Sequence, residues 1–356
     1  MFIIKRNRQH GFSLIELLVG IVLAMIAVIV VMQVFQFNER RQRAGTGGDA
    51  AIMDGAIAIT ELQRDLRMSG MGMSNLAVLG CSLVLPNGVT LPALAPVSIN
   101  SSAVPAGDDN TDTLLILYGG GNGSPEGNRV QAHPSAKVYN MNTPSAFVAQ
   151  DYVIASMTTQ PTTCSLRLDQ VSAVSGVNPG GTVTTTTGTT NLAEAMFDWG
   201  QTPHLIAYRV HSGRLQQCDF LQSDCRTAAS AGWTDLQEGV VSLRAQYGRD
   251  TNASMDGQVD QYDQSTPTSN CGWARASAVR VALTVRNGQL DKETELTGSG
   301  AGQSPVPTWS GNADAAIDLS ARTDWKHYRY RVFETVAPLR NIAWIGAKTE
   351  CTNLVN

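Results

Sequence analysis

The chain has 356 residues, a formal net charge of −4 and only 16% charged side chains, against roughly 25% in an ordinary soluble domain. With 43% hydrophobic residues it has ample material for a core, and its acidic balance argues against the basic footprint of a nucleic-acid binder. Six cysteines are too few for a disulfide-dense miniature scaffold, but their even number is compatible with three bridges in an oxidising compartment.

The first segment, Met1 to Gly11, carries Lys5, Arg6 and Arg8 and no acid. The stretch from Leu17 to Asn38 has no formal charge and is mostly Leu, Val, Ile, Ala and Met. At about 1.5 Å per residue it can cross a hydrocarbon core of about 30 Å. The basic flank would stay cytoplasmic and the bulk of the chain would be exported, although Arg40, Arg41 and Arg43 on the far side weaken the asymmetry. The run is too long for an ordinary secretory signal and no small-residue cleavage site closes it. Glu16 stands at its start. A carboxylate costs about 2.5–3.5 kcal/mol near a bilayer centre and less near the end of a span, so Glu16 is either a functional group or a headgroup-level residue.

The segment Gly11-Phe12-Ser13-Leu14-Ile15-Glu16-Leu17-Leu18-Val19 resembles the class III signal of type IV pilins and pseudopilins. The resemblance implies cleavage by a prepilin peptidase between Gly11 and Phe12, then N-methylation of Phe12. It also implies that Glu16 pairs with the N-terminal ammonium of a neighbouring subunit, because an unpaired charge in low dielectric is far costlier than a paired one. Removing residues 1–11 would take away three basic residues and no acid, moving the net charge from −4 to −7.

After the apolar run, Gly45, Gly47 and Gly48 each weaken a helix by roughly 1 kcal/mol relative to Ala. They predict either a bend or a melted segment. An amphipathic pattern resumes with Ile52, Ala56, Ile59, Leu62 and Leu66 on one face, with Glu61 and Asp65 among the polar positions facing basic neighbours. Gly70 and Gly72 end it. From about Cys81 onward the pattern changes to period two with frequent turns. Strands are expected over 113–118, 205–210, 241–247, 279–286 and 328–333. The threonine-rich run Thr182 to Thr190 predicts an edge strand or a flexible loop. The fold class is therefore α+β: a long N-terminal helix, in the manner of the pilins the start of the chain resembles, followed by a mostly antiparallel β head. The expected divisions are 1–11, 12–38, 39–70 and 71–356, with a second lobe beginning near 175–195.

Three further segments are similar to PilW-type minor pilins: Leu62-Gln63-Arg64-Asp65-Leu66-Arg67-Met68-Ser69-Gly70 followed by Cys81, the stretch Ala278 to Arg286, and the stretch Tyr328 to Asn341. The resemblance implies a role in starting type IV pilus assembly, with other minor pilins, the major pilin, a tip adhesin, the inner-membrane assembly platform and the prepilin peptidase as partners. It implies residence in the inner membrane with a periplasmic head, then incorporation at or near the tip of an extracellular pilus. A minor pseudopilin of a type II secretion system and a membrane-anchored adhesin are the competing readings.

Candidate chemistry is sparse. Read from Asn252, oxygen-bearing side chains at Asn252, Ser254, Asp256, Asp260 and Asp263, with Gln258 at position seven and Gly257 at position six, follow the spacing of a calcium-binding loop; Asp250 could join from outside. Asn at the first position, Asp rather than Glu at the twelfth and the lack of flanking helices depart from that pattern. An Asp-Gly hairpin turn fits the same residues, and both readings stay open. No cofactor is required, and Ca²⁺ is the one ion the spacing invites. Cys218 and Cys225 are close enough to pair, whereas Cys81, Cys164, Cys271 and Cys351 allow three pairings that sequence does not rank. Gly119 to Gly123 lacks the Lys-Ser/Thr pair of a phosphate loop, the histidines are scattered, and no G-x-S-x-G occurs, so the sequence supports no enzyme.

Overall fold

A computed structural model describes residues 13–290, 295–298, 300, 303–311, 316–343 and 351, with the backbone alone for 37 and 40–50. Helix α1 (Leu14–Met68) is followed by β1 (Ser82–Val84), β2 (Thr90–Leu91), β3 (Val97–Ile99) and β4 (Leu114–Tyr118). Six strands come next: β5 (Asn128–Ser135), β6 (Val138–Met141), β7 (Tyr152–Ser156), β8 (Ser165–Gly176), β9 (Gly181–Thr185) and β10 (Ala195–Gly200). Then follow β11 (His204–His211), β12 (Arg214–Asp219), β13 (Thr234–Glu238), β14 (Val240–Arg249) and β15 (Gln261–Asp263). Helix α2 (Asn270–Ala274), β16 (Ala276–Arg286), β17 (Tyr330–Pro338) and α3 (Arg340–Ala343) complete the described elements.

The chain divides into two units, residues 1–50 and 51–356. In the first, the described part of α1 has its large apolar side chains exposed, from Leu14 at 80% to Phe35 at 69%. The helix runs through Gly45, Gly47 and Gly48, so the expected bend or melted segment is replaced by continuous helical backbone.

The second unit is built on three sheets. Five strands, in the order β13-β12-β11-β4-β3, make one antiparallel sheet. Four more, β15-β14-β16-β17, make another. The third has the order β2-β1-β8-β7-β10-β5-β6-β9, and β9 pairs back onto β8, closing six of its strands into a barrel. Only β1 and β8 run parallel; every other ladder among the described residues is antiparallel. One large core joins Leu62 and Leu66 of α1 to Leu114–Leu117, Leu205 and Ala207 of the five-stranded sheet and to Val279, Val281 and Leu283 of the four-stranded sheet. The barrel has its own core of Val130, Tyr139, Met141, Phe147, Val153, Val171 and Val183.

Three expectations change. The barrel strands fall between β4 and β11, which are neighbours in one sheet with Tyr118 opposite His204. The smaller lobe is thus an insertion after Tyr118 that ends before His204, and residues 175–195 lie inside it rather than at its edge. The threonine run is not an edge: β9 pairs with β6 on one side and β8 on the other, and Val183 is fully buried. On β16, the face expected to be solvated is covered, because Ala282 packs with Val241, Trp309, Ile317 and Leu319.

Candidate functional site

Helix α1 begins at Leu14, and the Ser13 N–H donates to Glu16 Oε2 at 3.1 Å. The carboxylate is turned back toward the start of the helix, where acidic groups satisfy unpaired N–H groups and oppose the helix dipole. Gly11 and Phe12, the expected processing site, lie outside the described residues. The span Leu14–Gln36 is 23 residues of apolar helix, none of it buried within the protein. At 1.5 Å per residue that is about 35 Å, enough for a bilayer core of about 30 Å. Such a surface requires lipid or other apolar helices around it.

The head end of the same helix is locked by polar contacts. Asp65, 1% exposed, accepts hydrogen bonds from Tyr208 Oη at 2.6 Å and Tyr118 Oη at 3.1 Å, and from Arg64 Nε at 3.2 Å. Tyr118 sits on β4 and Tyr208 on β11, so one carboxylate ties α1 to two adjacent strands. Burial first, then the Asp65 charge, holds both phenols well above the ordinary tyrosine range, which keeps them protonated donors. Asp65 is therefore not one of the solvated polar positions the helical pattern predicts. The buried face runs through Ala51, Gly55, Ala58, Leu62, Asp65 and Leu66, and it leaves Ile52 42% exposed. Gly55 is required by packing: a Cβ there would overlap the Phe333 ring of β17.

The last turn of α1 is capped from the far end of the sequence. The Asn341 side-chain amide donates to the carbonyls of Met68 at 3.0 Å and Ser69 at 2.9 Å, and more weakly to Arg67 at 3.4 Å. Ser74 Oγ donates to the Asn341 carbonyl in return. Helix ends leave such carbonyls without partners, and here the stretch that closes the four-stranded sheet supplies them.

The acidic loop folds around its own backbone. Asp250, 1% exposed, accepts from the N–H groups of Asn252 at 3.1 Å and of Asp256 and Gly257 at 2.8 Å each. Asp260 accepts from Thr251 N at 2.8 Å and from Asn252 Nδ2 at 3.3 Å. Asp256 accepts from Gln258 N, and Asp263 is paired with Arg249 at 2.9 Å. Ser254 is exposed. The residues of the calcium spacing thus do not converge: their carboxylates point at separate N–H groups and at an arginine. Among the described residues no group of three or more His, Cys, Asp or Glu is placed to hold a metal ion. As arranged, Asp250 organises a turn, and Gly257 takes the positive φ it needs.

Disulfides join Cys218 to Cys225, Cys81 to Cys164 and Cys271 to Cys351, with Cα separations of 5.9, 4.8 and 5.4 Å. The first closes a short loop after β12. The second ties the segment before β1 to the start of β8. The third brings residue 351 to α2, where its carbonyl accepts from Arg275 Nη2 at 2.7 Å. Gly119–Gly123 wraps Asp198: Asn122 N and Gly123 N donate to its carboxylate at 2.7 and 3.1 Å.

Comparison with known proteins gives two family matches. Residues 206–341 match the family model described as type IV pilus-assembly protein W. Residues 6–32 match the prokaryotic N-terminal methylation motif. The first match starts within β11 and ends on Asn341, the residue that caps α1. The barrel lies outside both matches. No curated protein and no solved structure matches the chain. The family matches point to a structural protein rather than an enzyme.

Proposed function

We propose that this chain, a PilW-like type IV pilin, acts as a minor pilin that starts filament assembly from the inner membrane. One observation carries the reading: a prepilin methylation motif opens a bare apolar helix whose other end is locked into a large head by Asp65 and Asn341. The helix half supplies anchorage, first in lipid and then among the helices of other pilins. The head half supplies a fixed surface. Starting a filament costs several kcal/mol of association entropy before most lateral contacts exist. A rigid head that binds other minor pilins in advance lowers that barrier. In this reading the prepilin peptidase cuts before Phe12. Glu16 guides docking against the next subunit, and the chain ends at or near the tip beside the major pilin, a tip adhesin and the assembly platform.

The test is mass spectrometry of sheared surface filaments, together with deletion of the coding sequence. The expected result is a peptide starting at N-methylated Phe12, far less abundant than the major subunit, and loss of surface pili on deletion. A processed chain confined to the membrane fraction, with intact pili and a protein-secretion defect, would assign it to a secretion pseudopilus instead.

A further inference from the structure

The inserted barrel contains a cavity of about 510 Å³ at one mouth. That is the size of a site for a small ligand, and barrel mouths are among the places where such sites form. Alternation along β8 explains part of its lining, which also takes in Leu166. Leu166 and Leu168 point into the large core, while Val171 points into the barrel core. Ser165, Arg167 and Asp169 share the face of Val171 and line the cavity.

Asp169, at 7% exposed, is fully engaged. It accepts from Thr186 Oγ1 at 2.6 Å, Gln170 N at 2.8 Å, Thr187 N at 3.1 Å and Gly188 N at 2.5 Å. It thereby straps the second half of the threonine run across the mouth, where Thr189, Thr190 and Asn191 form a wall of hydroxyl and amide groups. Arg167 is different. It is half-buried on the cavity wall, and among the described residues its guanidinium has no ion pair and no hydrogen bond. Elsewhere in the head, Arg249, Arg275 and Arg322 all have acidic partners. Val153 and Tyr139 supply an apolar floor, and Leu192 stands 57% exposed at the rim.

We propose that this cavity binds a small carboxylated sugar of the uronic acid kind, with Arg167 taking the carboxylate and the threonine wall taking the ring hydroxyls. A guanidinium offers a planar fork of donors that matches a carboxylate. Among the described residues the cavity wall carries a single free cation, and the Asp169 carboxylate lies two residues away, so a doubly charged phosphate is disfavoured. The hydroxyl and amide lining suits a polyol, and the apolar floor suits the face of a sugar ring. The site is independent of the anchoring helix.

The test uses the full chain in a detergent without a sugar headgroup. Binding of D-glucuronate is followed by saturation-transfer NMR, with D-glucose and inorganic phosphate as competitors. Glucuronate is expected to bind at least tenfold tighter than glucose and to resist displacement by equimolar phosphate. Arg167→Gln should lose at least tenfold in affinity at unchanged Tm, and Arg167→Lys should keep part of it. Equal binding of glucose, displacement by phosphate, undiminished binding in Arg167→Gln or no glucuronate binding at all would overturn the proposal. The competition in the unmodified chain decides the matter even if Arg167→Gln fails to fold.

Discussion

The two ends of α1 are the same secondary structure put to opposite uses. From Leu14 to Gln36 the helix is almost wholly apolar, yet none of it is buried in the protein. From Ala51 to Met68 it carries Asp54, Glu61, Arg64, Asp65 and Arg67, yet Leu62, Asp65 and Leu66 are at most 1% exposed. Apolar content alone therefore does not say what a helix packs against. The first stretch has no packing partner within the protein and is long and apolar enough to cross a bilayer. The second answers to two particular strands, and its most specific contact is a carboxylate.

Identical substitutions at the two ends sharpen that contrast most. Leu66→Ala should destabilise the head by about 2–5 kcal/mol, read as a lowered Tm of the full chain in detergent, because it opens a cavity in the large core. Leu23→Ala should leave that Tm unchanged, since Leu23 is 61% exposed. A head transition that moved in Leu23→Ala would break the comparison. Next in size is Asp65→Ala, which leaves two buried tyrosine hydroxyls without an acceptor and should cost about 2–4 kcal/mol. Asp65→Asn keeps an acceptor oxygen and should cost less than half as much in a denaturant titration. Asn341→Ala removes the cap and should cost about 1 kcal/mol, with faster amide exchange confined to the end of α1.

Two barrel carboxylates differ in a smaller way. Burial raises the Asp169 pKa, but hydrogen bonds from Thr186, Gly188 and Gln170 outweigh it, and the net shift is down. Its folded pKa is below its unfolded one, so it stabilises above the unfolded value of about 3.9 and that gain is lost as pH falls through the folded value. Burial wins at Asp198 over the N–H groups of Gly200, Asn122 and Gly123, and the net shift is up. There acidification relieves a cost instead. Stability measured from pH 7 to 3 should lose part of its acid slope in Asp169→Asn and steepen in Asp198→Asn. The smallest expected effect is that of calcium. Added Ca²⁺ should not move the Tm, because the acidic loop spends its carboxylates on N–H groups and Arg249. A calcium-dependent rise that vanished in Asp256→Ala would establish the metal reading.

Much of this architecture is legible before folding. The apolar runs at β4 and β11 and the alternating runs at β14, β16 and β17 are strands of the two host sheets, and length with composition is enough to pick out the apolar helix. The barrel is not legible. Its strands β5 and β9 are rich in Asn, Gln, Ser and Thr, and β6 is only four residues long, so together they give a weak apolar signal. Asp65 is missed because a charged residue on a helix reads as solvated. Yet it stands three residues after Leu62 and one before Leu66, inside the stripe those leucines mark. The pairings of Cys81 with Cys164 and of Cys271 with Cys351 depend on which distant segments meet, and no local pattern records that. The acidic loop is the reverse case, since its spacing is suggestive while the orientation of each carboxylate is set by the nearest N–H groups.

The adjacency of Tyr118 and His204 in one sheet has an evolutionary consequence. The barrel enters and leaves the head through two neighbouring strand ends, so changes within it need not disturb the ladder that holds β4 to β11, although β8 also pairs with β1 and is tied to it by Cys81–Cys164. The residues that lock α1 sit on the host sheets and on Asn341, none of them in the barrel. A lineage could therefore vary the barrel, and with it whatever the barrel binds, while Asp65, Tyr118, Tyr208 and Asn341 keep α1 in place, provided that the Cys81–Cys164 bridge and the core residues Leu166 and Leu168 are kept or replaced.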